Sequence, residues 1–221
     1  MVSENVQQAI DALDSDDAVV RGRAIETLME LGLSGLADRL RPLLEDRDWV
    51  VRFKAASALA WLGDESGVEV LLDALRQRDL CFMALQSLTE LGSAAALEGI
   101  RNFSKRRFLH PLERLQAAAA MFSSGDESSL LYIEQRTLSS KPEERGLALE
   151  LLGRLSAAGA LDRLQAVLAN PDDPQRMDAL RGLAALDDRK AQPLLERVAS
   201  EQEDEQLAKE AQSVLSLWRK K

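Results

Sequence analysis

The sequence predicts an all-α fold, a solenoid of about seven helix-turn-helix units, and two observations carry this prediction. First, one phrase returns about every 31 residues: an arginine stands ten residues before a position that is usually leucine. Such self-similarity indicates stacked helical pairs, because no unit can bury its apolar face alone. Second, alanine and leucine dominate while aromatics make up only 4% of the chain, which favours helices over strands. The arginines are Arg21, Arg52, Arg114, Arg145 and Arg176, and the later positions are Leu31, Leu62, Ser124, Leu155 and Leu186.

The repeat divides the chain into seven units that we expect to form one elongated domain, residues 1–221. The second unit shows the pattern, because apolar residues at helical spacing occur on both sides of a short turn, Glu45 to Asp48. The third unit is shorter and has Cys81 and Leu91 at the two repeated positions, without the arginine. The predicted units are 6–35, 36–66, 67–95, 96–128, 129–159, 160–190 and 191–221.

Helix ends and inter-unit contacts can also be predicted from the repeat. Asp17 and Asp48 precede Arg21 and Arg52 by four residues, where a carboxylate can cap the start of a helix. Each arginine can then bridge to the acidic turn of the next unit, and we favour this role over a ligand site. A glycine stop ends the second helix of the first four units. These glycines are Gly32, Gly63, Gly92 and Gly125, and Ser156, Asp187 and Arg219 replace them in the later units.

The repeated phrase resembles a known family. It consists of D-x-x-V-R, a run of Ala and Leu, and then L-G-D, most clearly over residues 16–75. This pattern is similar to the HEAT repeat, particularly the short bacterial subtype called phycobilin-lyase HEAT-like repeats. The resemblance implies a right-handed α-solenoid whose second helices line a concave binding face. The same repeat occurs in bilin lyases, in HEAT-like DNA glycosylases and in adaptor proteins, so it does not select one function.

Composition excludes several classes of site. The net charge is −9, from 37 acidic and 28 basic residues, and an acidic chain disfavours nucleic-acid binding. The single cysteine, Cys81, excludes an internal disulfide, and we expect a small buried hydrophobe in preference to a reactive thiol. The single histidine, His110, leaves no histidine cluster for a metal. No apolar run is long enough to span a membrane, so we expect a cytoplasmic protein without a cofactor.

Candidate binding residues are those that break the repeat on the exposed side of the second helices. Trp61 is the most distinctive, and it can serve as an interface anchor or fold back over its own helix. The predicted partner-binding residues are Glu26, Glu30, Lys54, Trp61, Met83 and Glu90. The remaining positions of this strip are Arg23, Ser57, Gln86, Gln116, Ala119, Ser123, Leu147, Glu150, Arg154, Asp178, Arg181 and Ala185.

The fourth unit contains the only basic run inside the body of the chain. Lys105, Arg106 and Arg107 can form a solvated helix end, which we favour, or contact an anion or a partner. The interleaved Phe103 and Phe108 are a weak indication of such a contact. We expect His110 to be a solvated loop residue and Pro111 to begin the next helix.

Three functions of different classes remain open at this point. The favoured hypothesis is a non-catalytic scaffold whose concave face binds another protein, presenting a basic or helical segment. The family resemblance alone suggests the second, a subunit of a bilin lyase or isomerase, for which Trp61, Lys54 and Arg23 are the available residues. The third, a HEAT-like DNA glycosylase, requires a positive channel, whereas the strip carries several glutamates.

Overall fold

The computed structural model describes residues 2–31, 35–186, 188–201 and 204–220 of the chain. These residues form fourteen α-helices, five short 3₁₀ turns and no strand, which confirms the predicted all-α class. By its internal packing the chain divides into two compact units, residues 1–108 and 109–221. The single elongated domain inferred from the repeat stays a prediction.

The first compact unit contains the helical pairs of the first three repeats and the first helix of the fourth. Its core includes Leu13, Leu28, Leu40 and Leu59, all at most 4% exposed. They come from successive repeats, as expected of units that bury their apolar faces against one another. The helices are α1 (Val2–Asp11), α2 (Ala18–Glu30), α3 (Ala37–Leu40), α4 (Trp49–Trp61), α5 (Val68–Ala74), α6 (Arg78–Leu91) and α7 (Ala94–Ser104).

The second compact unit contains the remaining helices in the same alternation. One core runs from Leu115 and Leu149 through Leu183 to Trp218. Trp218 is 4% exposed, so it packs into this core from the last helix. The helices are α8 (Pro111–Ser123), α9 (Leu130–Arg136), α10 (Pro142–Arg154), α11 (Ala160–Ala169), α12 (Arg176–Leu186), α13 (Gln192–Val198) and α14 (Glu205–Lys220).

The helix ends follow the predicted capping pattern. Asp17 accepts a hydrogen bond from the backbone N–H of Val19, and Asp48 accepts one from that of Val50, each at 2.8 Å. The glycine stops have left-handed φ angles of +76° at Gly63, +60° at Gly92 and +95° at Gly125. Gly32 and Asp187 lie outside the described residues, and Arg219 lies within α14. Ser156 adopts φ +48° at the equivalent position, so the backbone turn is kept where the glycine is lost.

Three of the five repeated arginines connect neighbouring units, as predicted. Arg21 donates two hydrogen bonds of 2.7 Å to the Asp46 carboxylate in the next unit. Arg145 donates to Asp173 at 2.7 and 2.6 Å, and Arg176 donates to Glu201 at 2.8 and 2.7 Å. The same guanidinium groups donate backward to backbone carbonyls of Ser15, Thr137 and Leu168. Each arginine therefore joins the turn before its own helix to the next turn in the stack.

Glycines permit an unusually close approach between α10 and α12. A Cβ atom built at Gly153 would lie 2.0 Å from the carbonyl oxygen of Gly182. A Cβ atom at Gly182 would lie 2.7 Å from the carbonyl oxygen of Leu149. The backbones of the two helices are therefore in direct contact, without intervening side chains.

Candidate functional site

A groove in the first compact unit is lined by the second helices of three successive repeats. Helix α4 packs against both α2 and α6, and the exposed sides of the three helices enclose a volume of about 580 Å³. All six predicted partner-binding residues line this groove: Glu26, Glu30, Lys54, Trp61, Met83 and Glu90. The other lining residues are Ile25, Met29, Phe53, Ser57, Ala58, Gln86 and Ser87.

The repeat arranges the groove residues in rows, because equivalent positions lie on neighbouring helices. The row nearest the helix N-termini contains the basic residues, and the row nearest the C-termini contains two glutamates and a tryptophan. The first row is Arg23, Lys54 and Met83; the second is Glu26, Ser57 and Gln86; the third is Glu30, Trp61 and Glu90. Arg23 is exposed and does not line the groove.

The groove has an apolar floor and two exposed apolar side chains. Ile25 and Phe53 are 2% and 5% exposed, so they form part of the folded core. Trp61 is 58% exposed and Met83 is 45% exposed, which leaves both side chains available to a second molecule. Exposed large apolar side chains that share an open groove are typical of an interaction surface.

Negative charge dominates the walls of the groove. The Lys54 ammonium lies 2.8 Å from the Glu26 carboxylate, so the one lysine of the groove is already paired. Glu90 accepts a hydrogen bond of 3.2 Å from the Gln86 amide. Glu30 is exposed and forms no ion pair with any described residue. The groove thus carries two carboxylates that the described part of the chain leaves without a cation.

One buried hydroxyl in the groove also lacks a partner. Ser57 Oγ is enclosed and has no hydrogen-bond partner among the described residues. A buried unpaired hydroxyl costs about 1 to 3 kcal/mol. The middle of the groove therefore combines an apolar surface with unused hydrogen-bonding capacity.

The predicted basic run lies outside the groove, directly after the C-terminus of α7. Lys105, Arg106 and Arg107 are all exposed, and cations are stabilised at this end of a helix by its dipole. The Arg106 guanidinium lies 5.1 Å from the ring centroid of Phe103, and that of Arg107 lies 5.4 Å from Phe108. The position favours the solvated helix end, while a contact with an anion or a partner stays a prediction.

His110 has a structural role that the sequence reasoning missed. The side chain is exposed, as expected, but its Nδ1 accepts a hydrogen bond from the backbone N–H of Leu112 at 3.4 Å. The Glu113 carboxylate accepts from the backbone N–H of His110 at 3.3 Å, which completes a capping box for α8. Pro111 occupies the first turn of α8, as predicted. The signal was present in the sequence, since a Glu three residues after the cap is typical of this motif.

The equivalent strip in the second compact unit is less open than the repeat suggested. Ala119, which we placed on the exposed strip, is 5% exposed and belongs to the core, so this assignment was wrong. The reason is its small size, because neighbouring side chains pack over an alanine. Arg181 pairs with Glu150 at 3.2 Å and with Asp178 at 3.4 Å. Burial and the nearby Glu150 raise the pKa of Asp178.

Two other features are absent from the described residues. No helix there has the length and apolar character needed to cross a membrane. No group of three or more His, Cys, Asp or Glu side chains there could hold a metal ion.

Comparison with known families identifies the repeat. Residues 6–80, which include α2, α4 and the start of α6, match the family described as HEAT repeats. Residues 6–80 belong to the HEAT-repeat family. The match confirms the HEAT repeats inferred from the sequence, and two of the three groove helices lie wholly within them. No curated protein sequence matches the chain.

One of the solved structures similar to this chain shares its fold over almost the whole chain. It is the complex of CpcE and CpcF of phycocyanin lyase from Nostoc sp. PCC7120, with a TM-score of 0.57 and 21% identity. That alignment covers 96% of this chain and 94% of the other. A second is human deoxyhypusine hydroxylase in complex with glycerol, with a TM-score of 0.43, 17% identity and coverage of 99% and 97%. At 21% identity, the likeness to the first of these structures shows the fold alone.

Proposed function

We propose that the chain is a non-catalytic protein-interaction module and that the groove on α2, α4 and α6 binds a segment of another protein. The observation that carries the proposal is the exposure of Trp61 and Met83 over one groove, flanked by carboxylates. Aromatic side chains and methionines are enriched at protein interfaces. A tryptophan in a groove is a common site of concentrated binding energy.

The comparisons support a protein partner in two ways. HEAT repeats stack into extended surfaces that suit the binding of other proteins. The solved structure of similar fold from Nostoc is itself a complex of two proteins. The acidic groove adds a preference, because complementary potentials favour a basic partner segment.

Site-specific crosslinking tests this function. A photo-crosslinking amino acid at position 83 should capture a protein in an extract of the source cells. The same group at position 138, where Leu138 is 76% exposed in the second compact unit, is the matched control. The captured protein, identified by mass spectrometry and purified, should bind the unmodified chain, and Trp61→Ala should weaken binding at least about tenfold. A protein that binds the Trp61→Ala variant as tightly as the parent chain would place the interface elsewhere.

A subunit of a bilin lyase or isomerase is the second candidate, and the structural likeness to the phycocyanin lyase complex favours it. The propionate groups of a bilin require cations, whereas Lys54 is paired with Glu26 and Arg23 lies outside the groove. Mixing the chain with a bilin tests this candidate directly. A shift in the bilin absorbance that Trp61→Ala abolishes would support it, and an unchanged spectrum would remove it.

The DNA glycosylase gains no support from the groove. Three carboxylates and one paired ammonium line it, and this balance repels the phosphates of a duplex. Cytoplasmic location and a bacterial source stay predictions from the sequence.

A further inference from the structure

The acidic end of the groove brings together a tryptophan, two glutamates and three helix C-termini. Helix α2 ends at Glu30, α4 ends at Trp61 and α6 ends at Leu91, one residue after Glu90. The three side chains occupy the same position of the repeat on neighbouring helices. Because the C-terminus of a helix carries a partial negative charge, the backbone adds to the field of the two carboxylates.

No described residue of the chain neutralises this end of the groove. Lys54 is paired with Glu26, about two helical turns from the end of α4. Glu30 has no ion-pair partner among the described residues, and Glu90 accepts only from the neutral Gln86 amide. The site therefore attracts a cation from outside the described part of the chain.

The other two tryptophans each have an arginine guanidinium close to the indole ring, which Trp61 lacks among the described residues. The Arg52 guanidinium lies 5.0 Å from the ring centroid of Trp49, and the Arg189 guanidinium lies 5.3 Å from that of Trp218. Trp61 is the most exposed large apolar residue of the groove, and no described cation stacks on it. The chain thus covers two indoles with its own arginines and leaves the third one open between two carboxylates.

We propose that the groove binds an arginine side chain from a segment of the partner protein, with its guanidinium stacked on Trp61 between Glu30 and Glu90. A planar guanidinium can stack on an indole and donate to a carboxylate at its edge, which a lysine ammonium does less well. Apolar neighbours of this arginine pack against Met29 and Met83. This inference rests on the proposed function and specifies the chemistry of the partner.

A pair of short peptides tests the inference with the full chain. The probe is acetyl-Leu-Arg-Leu-amide, and the control replaces arginine with citrulline, which is neutral and of nearly the same shape. The indole N–H signals of the ¹⁵N-labelled chain report binding, and a Trp61→Phe variant assigns the Trp61 signal. We expect the arginine peptide to shift this signal and to bind about five to ten times more tightly than the citrulline peptide.

Charge variants then locate the contact. Glu30→Gln and Glu90→Gln should each weaken binding of the arginine peptide about threefold to tenfold. Glu69→Gln is the matched control, since Glu69 is exposed on α5, carries the same charge and does not line the groove. Circular dichroism of each variant checks that the fold is retained.

Three outcomes would overturn the arginine site. They are equal binding of the two peptides, an equal loss for Glu69→Gln and Glu30→Gln, and no response of the Trp61 signal to the arginine peptide. The partner captured at position 83 can also be tested with each of its arginines substituted in turn. If every such variant binds as tightly as the unsubstituted partner, the interaction function stands and the arginine site is wrong. If position 83 captures no protein and the arginine peptide does not bind, the proposed interaction function is itself wrong.

Discussion

At the scale of single residues, the repeated arginine carries the connection between units. Arg145 donates backward to the Thr137 carbonyl at 3.0 Å and forward to both carboxylate oxygens of Asp173. Paired with a guanidinium at this distance, the carboxyl group of Asp173 has a lowered pKa. Arginine therefore recurs at this position of the repeat because it joins neighbouring units, and no ligand is needed to explain it.

Removing this arginine should destabilise the protein strongly. Arg145→Met keeps the aliphatic part of the side chain but leaves the largely buried Asp173 carboxylate unpaired, which costs about 2 to 4 kcal/mol. Urea unfolding followed by circular dichroism measures the free energy. The control is Arg101→Met, because Arg101 pairs with Glu98 on an exposed surface at 2.9 Å, where a loss under about 1 kcal/mol is expected. Equal losses for the two variants would contradict the connecting role.

Acid should destabilise the protein through the capping and paired aspartates. Hydrogen bonds from Ser66 and Arg41 lower the pKa of Asp64 from 3.8 to about 2, and Arg21 lowers the pKa of Asp46. A pKa lowered in the folded state means that the stabilisation is complete above about pH 4 and is lost as the pH falls toward 2. Urea unfolding between pH 6 and pH 2 should show this decline. Asp64→Asn should be less stable at pH 6 and should decline less steeply, whereas parallel profiles would contradict the assignment.

At the scale of helices, backbone geometry is conserved across the repeats even where the residue type changes. The left-handed turn after the second helix is made by Gly63, Gly92 and Gly125, and by Ser156 in the fifth repeat. After α4, α8 and α10, the backbone N–H of the third residue past the helix end donates to a carbonyl five residues earlier. These residues are Asp64, Asp126 and Ala157. The helical pair therefore requires the left-handed turn, and glycine is the residue that adopts this φ angle with the least backbone strain.

Exchanging residues between two of these stops should shift stability in opposite directions. Ser156→Gly removes a left-handed non-glycine residue and should stabilise the protein by about 0.5 to 1 kcal/mol. Gly63→Ser introduces such a residue at φ +76° and should destabilise by about 1 kcal/mol. Thermal unfolding measures both variants. A gain in stability for Gly63→Ser would show that this turn does not constrain the repeat.

The contact between α10 and α12 should be intolerant of any side chain. In Gly153→Ala the new Cβ would lie 2.0 Å from the Gly182 carbonyl oxygen, and separating two packed backbones costs about 3 kcal/mol. Gly22→Ala is the matched control within α2, since its Cβ meets only the end of the Lys54 side chain, at 3.2 Å. That control should be neutral or gain up to about 1 kcal/mol. Equal shifts in the urea midpoints of unfolding of the two variants would contradict the close contact.

At the scale of the whole molecule, the acidic charge is concentrated toward the N-terminal part that forms the groove. Residues 1–48 contain 11 acidic and 5 basic groups, and three glutamates line the groove. An electrostatic field of one sign over a binding surface accelerates encounter with an oppositely charged partner. The net charge of −9 therefore bears on association with a partner more than on the fold.

Salt should slow the association of a basic partner. Raising the ionic strength from about 0.01 M to about 1 M shortens the screening length from about 30 Å to about 3 Å. The association rate constant of an arginine-containing peptide should then fall at least about tenfold, as measured by stopped-flow fluorescence. The dissociation rate should change less. The citrulline peptide is the control, and an equal decline for both peptides would contradict electrostatic steering.

Most of the architecture could be predicted because it is repeated. Five copies of one phrase reveal the helical pairs, the caps at Asp17 and Asp48 and the arginine connections, since each copy repeats the same local physics. The six groove residues could be named for a related reason, because departures from a repeat become visible once the repeat is known.

What could not be predicted depends on packing in three dimensions. The buried Ala119 and the contact between Gly153 and Gly182 follow from how closely neighbouring helices approach, which a periodic pattern does not encode. The cap formed by His110 was missed because histidine is an uncommon cap. The paired state of Lys54 depends on side-chain geometry, which the sequence leaves open.

Among the described residues, the ion pair that joins the first repeat to the second has no counterpart between the second repeat and the third, and this has a mechanical consequence for the groove. Arg21 ties the first repeat to the second through Asp46, but Arg52 bonds only to the Asp46 carbonyl at 2.6 Å and stacks on Trp49. Within the described residues, therefore, no ion pair between a repeated arginine and a carboxylate joins the second repeat to the third. Helix α6 packs against α4 without such a directional ion pair. The wall that carries Met83 and Glu90 thus lacks an ion pair of the kind that joins Arg21 to Asp46, and we expect its distance from α4 to adjust to the width of a bound segment.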